Sequence, residues 1–206
     1  GRVGLRIWGG LGASVAGLSV SDREGFGDEP FIAAKRAAIS LELWPLLMGE
    51  AGLGAIVISE PSISLVIDGK GEANYADLVA GPDAGGGGPV LLPVDGLTIR
   101  NGRLRYEDRQ AGASTEVEGL DYALSAELQG VRITIEGLLS VTSVTMRSED
   151  GVVTELGEFR ASHRIATERD LENLDIEHLR IGLGPAELSA HGSVQGLSGI
   201  PRLALE

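Results

Sequence analysis

Cysteine is absent from the 206 residues, which excludes disulfides and thiolate metal sites but leaves the cellular compartment open. Aromatic side chains are scarce, at 4%, so the apolar surface of the chain is mostly aliphatic. Basic residues are in deficit, 17 against 30 acidic ones, for a net charge of −13. Such a molecule repels phosphate backbones and anionic lipid surfaces, which argues against nucleic acid as a partner. No apolar run approaches the roughly 18–20 residues of a membrane span, and residues 1–12 are too polar and Gly-rich for a signal peptide. The chain opens on Gly1-Arg2-Val3 without an initiator Met, and is expected to be a fragment or mature form of something longer.

What is present is alternation. Val131-Arg132-Ile133-Thr134-Ile135-Glu136 swaps apolar and polar residues at every step, the pattern of a half-buried strand. Similar faces recur at Leu18 and Val20, at Ile39, Leu41 and Leu43, at Ile63, Leu65 and Ile67, and at Leu97 and Ile99. They return at Leu120, Tyr122, Leu124 and Ala126, and at Leu179, Ile181 and Leu183. Asn101-Gly102, between Leu97-Thr98-Ile99 and Leu104-Arg105-Tyr106, predicts a tight hairpin turn. Asp68-Gly69-Lys70-Gly71 and Glu149-Asp150-Gly151 carry related turn signals, so successive strands are expected to pair antiparallel. Short helices are predicted at 44–48, where Pro45 sits near a first turn, and at 74–79, opened by Asn74 as a cap. The predicted fold class is mainly β, a long curved antiparallel sheet with one or two short helices. Residues 1–80 form an N-terminal segment, 81–89 a Gly-rich loop, and 90–206 continuing antiparallel repeats of the same sheet system.

Catalytic chemistry finds little footing. His163, His178 and His191 lie in separate segments with no second His or Cys at ligand spacing. Gly192-Ser193-Val194-Gln195-Gly196 is not a nucleophile elbow, and Gly69-Lys70-Gly71 lacks the upstream Gly and the Ser or Thr of a phosphate loop. Asp22, Glu24, Asp28 and Glu29 lack the ordered spacing of a calcium loop. No catalytic residue, metal site or cofactor is expected, and the protein is read as a non-enzyme. The apolar face remains. It is either a core closed against a second sheet or an open surface that implies a lipid or protein partner.

The stretch from Leu18 to Leu78 carries Leu18-Ser19-Val20-Ser21-Asp22, Phe31-Ile32-Ala33-Ala34-Lys35, Leu41-Glu42-Leu43-Trp44-Pro45-Leu46-Leu47, Ile58-Ser59-Glu60-Pro61 and Asp68-Gly69-Lys70-Gly71-Glu72-Ala73-Asn74-Tyr75-Ala76-Asp77-Leu78. It resembles the N-terminal region of the AsmA family of bacterial envelope proteins, with Tyr75 where that family usually has Trp. Ile99 to Asp108 and Leu188 to Val194 are similar to later repeats of such proteins. The resemblance implies a periplasmic protein of Gram-negative type, held at the inner membrane by an N-terminal helix not present in this chain. It also implies kinship with TamB-like and chorein-like bridge proteins, whose curved sheets form an apolar groove for phospholipid transport and outer-membrane biogenesis.

On that basis Ile39, Leu41, Leu43, Ile63, Leu65 and Ile67 are expected to line a groove for phospholipid acyl chains, with other envelope proteins as further partners. Lys35, on the same parity, could meet a lipid headgroup, although a snorkelling side chain at a strand end is the simpler reading. The rival reading is a structural scaffold or protein-interaction segment of a larger envelope protein with a closed sheet core. The charge balance itself gives the first test: the chain should pass through DNA and RNA columns at moderate salt, and retention would contradict it.

Overall fold

Strand follows strand along almost the whole described chain. The structure is a computed structural model that describes residues 2–6, 11–41, 53–76, 94–168, 172–196 and 202–205. The order is β1 (Arg2–Arg6), β2 (Leu11–Val20), β3 (Ile32–Leu41), β4 (Leu53–Ile67), β5 (Val94–Asp108), β6 (Ala113–Gln129) and β7 (Arg132–Val141). It continues with β8 (Ser143–Arg147), β9 (Val153–Leu156), β10 (Phe159–Glu168), β11 (Asn173–Leu183), β12 (Ala186–Gln195) and β13 (Arg202–Leu205). All belong to one sheet, running β1-β2-β3-β4-β5-β6-β7-β10-β11-β12-β13, with β8 beside β6 and β9 beside β8. The expected mainly-β architecture is what the chain adopts.

Two local expectations change. Asn101-Gly102 is not a hairpin turn: it lies inside β5, whose 15 residues run unbroken from Val94 to Asp108. Asn101 takes the left-handed conformation (φ 50) that makes Asn-Gly a good turn, but here it kinks a strand instead. The sheet is also not wholly antiparallel, because β4 and β5 pair in parallel, from Leu53↔Val94 to Ile67↔Asp108. Asn74 precedes Ala76, which is helical, and the rest of the predicted 74–79 helix lies outside the described residues. The Asn74 carboxamide accepts from the Val66 amide (2.9 Å) and donates to Ser64 O (2.9 Å) and Asp22 (2.7 Å), tying the 68–76 turn to β4. The predicted helix at 44–48 and the 81–89 loop also lie outside the described residues. The turns at 68–71 and 148–151 are present, closed by Gly71 N→Asp68 O and Gly151 N→Ser148 O.

The Asn101 kink belongs to a line that crosses the sheet. Gly17 (φ 67) in β2, Glu60 (φ 49) in β4, Asn101, Gly119 (φ 62) in β6 and Gly184 (φ 56) after β11 sit at nearly the same level. Thr142 separates β7 from β8 there, and Gly157-Glu158 separates β9 from β10. Register carries across the line: Arg36↔Ser59 and Ala34↔Pro61 flank it in one pair and Ser59↔Arg100 and Ser62↔Arg103 in the next, while the β5–β6 pair shifts locally at Gly102↔Leu120 and returns at Arg103↔Glu118. A left-handed residue inside a strand re-aims the side chains beyond it. The line divides the sheet into a wide panel, reaching from β1 to β13, and a narrow one built from the far ends of β2–β6 with β8 and β9.

Gly119 shows how tight the line is, because a Cβ there would overlap Thr142 Oγ1. Asn is among the few residues besides Gly that adopt positive φ readily. Asn101→Val should therefore lower stability to urea by about 1–2 kcal/mol, whereas Asn101→Gly should change it by under ~0.5 kcal/mol. Equal stability of the two variants would contradict the kink.

Candidate functional site

Direct partners in a sheet share a face, so the registers can be followed across the strands as rows. On the wide panel one row runs Ile39, Ile56, Leu97, Leu124, Gly137, His163, Leu179, Ala190. Beside it runs Ala37, Ile58, Ile99, Tyr122, Leu139, Ala161, Ile181, Leu188. On the narrow panel the corresponding row is Ile32, Ile63, Leu104, Val117, Val144, Leu156. In each strand the apolar set changes parity at the kink line: 56 and 58 become 63 and 65, 97 and 99 become 104 and 106, 124 and 122 become 117 and 115.

The two sets occupy one face. A Cβ on Gly102, which shares parity with Leu104, would meet Ile99 Cγ2 at 3.3 Å and Pro61 Cγ at 3.2 Å. In an uninterrupted strand residues three apart point to opposite faces. The kink has turned the pleat over, and the aliphatic surface continues from panel to panel.

Among the described residues no second strand layer lies over this face; at its narrow-panel end Tyr75 hydrogen-bonds Tyr106. Every substantial element contact joins strands that are neighbours in the sheet. Among the described residues the buried hydrophobic side chains are few, Phe26, Ala34, Val66, Val141 and Ala166, with Pro61 beside them. The chain exposes 13990 Å², where a compact monomer of 21.4 kDa exposes roughly 9,100 Å². A closed sandwich core is therefore not formed by the described residues.

The expected groove residues distribute as follows. Ile39 lies in the wide-panel row and Ile63 in the narrow-panel row. Leu65 partners Tyr106, and Ile67 partners Asp108 at the panel's end. These four are half-buried. Leu41 is in β3 opposite Leu53, and Leu43 lies outside the described residues. The odd numbering shared by the two segments does not itself put them together, since from Ile32 to Ile39 odd residues of β3 partner even residues of β4, and Leu41↔Leu53 lies beyond a register shift. The parity change at the line does. Lys35 is engaged by Glu60 (2.6 Å), with both side chains well exposed.

The opposite face is polar and charged. Arg103 pairs with Glu118 (3.2 Å), Arg132 with Glu177 (2.9 Å), and Arg164 with both Glu177 (2.6 Å) and Glu136. These pairs are solvent-facing and each contributes little. A hollow of about 390 Å³ over Gly102 and Gly119 lies among Glu60, Arg103 and Glu118. The acidic loop between β2 and β3 is pinned on this face by protein groups: Arg105 reaches Glu29 (3.3 Å), Arg109 donates to Phe26 O (2.7 Å), and Asp22 accepts from Asn74. No group of three or more potential metal ligands is found among the described residues. Ser193 sits mid-strand between Asp175 and Ala204. Lys70 donates its amide to Asp68 (2.8 Å) as part of the turn. Backbone donation from Glu72 contributes most to holding the Asp68 carboxyl below its usual pKa.

One polar pair interrupts the aliphatic rows, and alternation gave no notice of it. Tyr122 Oη lies 3.2 Å from His163 Nε2, the imidazole resting over Gly137, where a Cβ would overlap the ring. Burial, with a smaller contribution from the charge of His178, holds the His163 pKa below its usual value of 6.5. Burial also pushes the Tyr122 phenol up. His178 lines the other face beside Arg164, and His191 is exposed in β12.

Comparison with known proteins returns no match: no family model, no curated protein and no solved structure resembles the chain.

The folded state prefers neutral His163, so the unfolded chain takes up a proton first as pH falls. The stability this residue contributes is complete above about pH 6.5 and is lost from there down to the lowered folded value. Between about pH 7.5 and about pH 5.5, His163→Gln should lose less stability to urea than the parent protein. Parallel losses would remove His163 as the titrating group.

Proposed function

We propose that this chain is a non-catalytic lipid-handling segment of an AsmA-like periplasmic protein. In that role it accommodates phospholipid acyl chains on its aliphatic sheet face, in the service of lipid transport between membranes and outer-membrane biogenesis. The observation that carries the reading is the pair of apolar rows crossing the wide panel and continuing, through the kink line, into the narrow one with no layer over them among the described residues.

Acyl chains suit such a surface. They need continuous apolar contact and almost no directional bonding, and their transfer from water is favoured by about 25 cal/mol per Å² of apolar surface removed. The near absence of aromatic side chains and the strand-by-strand repetition of Ile, Leu and Val provide a track without deep discrete pockets, unlike the enclosed sites of small-molecule binders. The order of motifs from Leu18 to Leu78 supports the family assignment, and with it attachment to the inner membrane and contact with other envelope proteins. A scaffold with a closed core would need a covering layer over rows that the described residues leave bare.

Ile58→Asp together with Leu104→Asp places one carboxylate on each panel. Purified parent protein should carry phospholipid in native mass spectra, and the double variant should lose it, since a carboxylate among acyl chains costs several kcal/mol. Folding should survive, because on an open face the new charges reach water. A folded double variant that keeps as much phospholipid as the parent would defeat the reading. Unfolding of the variant would favour the closed scaffold.

A further inference from the structure

The break in the aliphatic rows is specific in its chemistry. Tyr122 is the direct partner of Ile99 and Leu139, and His163, one row over, is the direct partner of Gly137 and Leu179. The imidazole is seated over a glycine that no larger residue can replace without displacing it. Nδ1 of His163 is buried with no hydrogen-bond partner, while Nε2 faces Tyr122 Oη at 3.2 Å.

Two neutral tautomers satisfy that contact, and they differ in what stays unpaired. If Nε2 accepts from the phenol, the proton sits on Nδ1 as a buried N–H with no acceptor. If Nε2–H donates to Tyr122 Oη, the unpaired group is a lone pair on Nδ1. Orphaned buried N–H groups are the rarer and more costly of the two. The second tautomer is therefore the favoured one, and it leaves the Tyr122 hydroxyl hydrogen free to donate elsewhere. Burial keeps that hydroxyl protonated.

We propose that Tyr122, oriented by His163 over Gly137, is the hydrogen-bond donor that seats the head oxygen of an acyl-chain ligand, a carboxyl or ester oxygen, on the otherwise aliphatic wide panel. The inference rests on the acyl-chain reading of the face. It adds a fixed point to a surface that would otherwise let a chain slide: aliphatic contact holds the tail, and one directed donor sets where the tail begins. Tyr122 contacts the ligand, whereas His163 acts through Tyr122 and is a positioning residue.

The test uses delipidated full chain and three probes of equal tail length: dodecanoic acid, methyl dodecanoate and dodecane, each titrated by calorimetry. The parent protein should bind all three. Tyr122→Phe, which keeps the ring, should weaken the acid and the ester about five- to tenfold and leave dodecane unchanged. Weakening of the acid alone assigns the donor to a carboxylate head, and weakening of both assigns it to the acyl carbonyl that free acids and phospholipids share. His163→Phe should mimic Tyr122→Phe, and His163→Gln, which retains an N–H donor, should recover part of the affinity. Unchanged affinity of Tyr122→Phe for acid and ester overturns the proposal while the acyl-chain reading stands. Failure of the parent protein to bind dodecane overturns both.

Discussion

The structure depends on strands changing the phase of their alternation together. A strand has only two faces, and a shift of one residue moves its whole apolar set to the other side. Had β5 alone turned over at Asn101, Leu104 and Tyr106 would have kept to the apolar face while Ile63 and Val117 joined the charged one. Instead β4 turns at Glu60, β5 at Asn101 and β6 at Gly119, and the β7 and β8 stretches part at Thr142. The registers of Ile63↔Leu104 and Leu104↔Val117 then continue those of Ile58↔Ile99 and Ile99↔Tyr122. The residues at the line are the ones that tolerate it: glycines, one Asn, and Glu60 held to Lys35 across the β3–β4 pair.

An open sheet of this kind is held differently from a globular core. Backbone ladders and lateral contacts between adjacent side chains do most of the work, because few apolar side chains are fully buried. The small buried clusters sit at special places. Phe26, in the β2–β3 loop, and Val66, in β4, are buried where Arg105 and Arg109 hold that loop, and Ala34 lies beside Pro61 at the kink line. One face carries the ion pairs, and the aliphatic face has no second strand layer over it among the described residues. A surface of that extent on a soluble monomer is the usual mark of a partner.

Much of this was legible in the sequence. Alternation at Val131–Glu136, at Leu120–Ala126 and at Leu179–Leu183 located strands correctly, because half-burial imposes period two. The reading failed at Asn101-Gly102 for a physical reason: the same left-handed preference serves a hairpin turn and a kink within a strand, and local sequence does not distinguish them. The distinguishing signal was non-local. Leu97 and Ile99 are odd and Leu104 and Tyr106 even; Ile56 and Ile58 are even and Ile63 and Leu65 odd. A parity reversal recurring from strand to strand marks a line across a sheet. The parallel pairing of β4 with β5 depends on the connection through residues 68–93, which alternation does not describe. The Tyr122–His163 pair was invisible because its members are 41 residues apart and each looks like an ordinary strand residue.

The central claim is that one uncovered aliphatic face spans both panels, and the absence of cysteine makes it directly measurable. Ile99→Cys and Leu104→Cys, one on either side of the kink, can be exposed in the folded, delipidated protein to a fluorescent maleimide, with Ser62→Cys on the charged face as reference. The account predicts that both apolar-face thiols react at rates comparable to the reference, and that added phospholipid slows both while sparing it. Protection of either thiol in the absence of lipid, or lipid slowing only one of the two, would contradict a single open face.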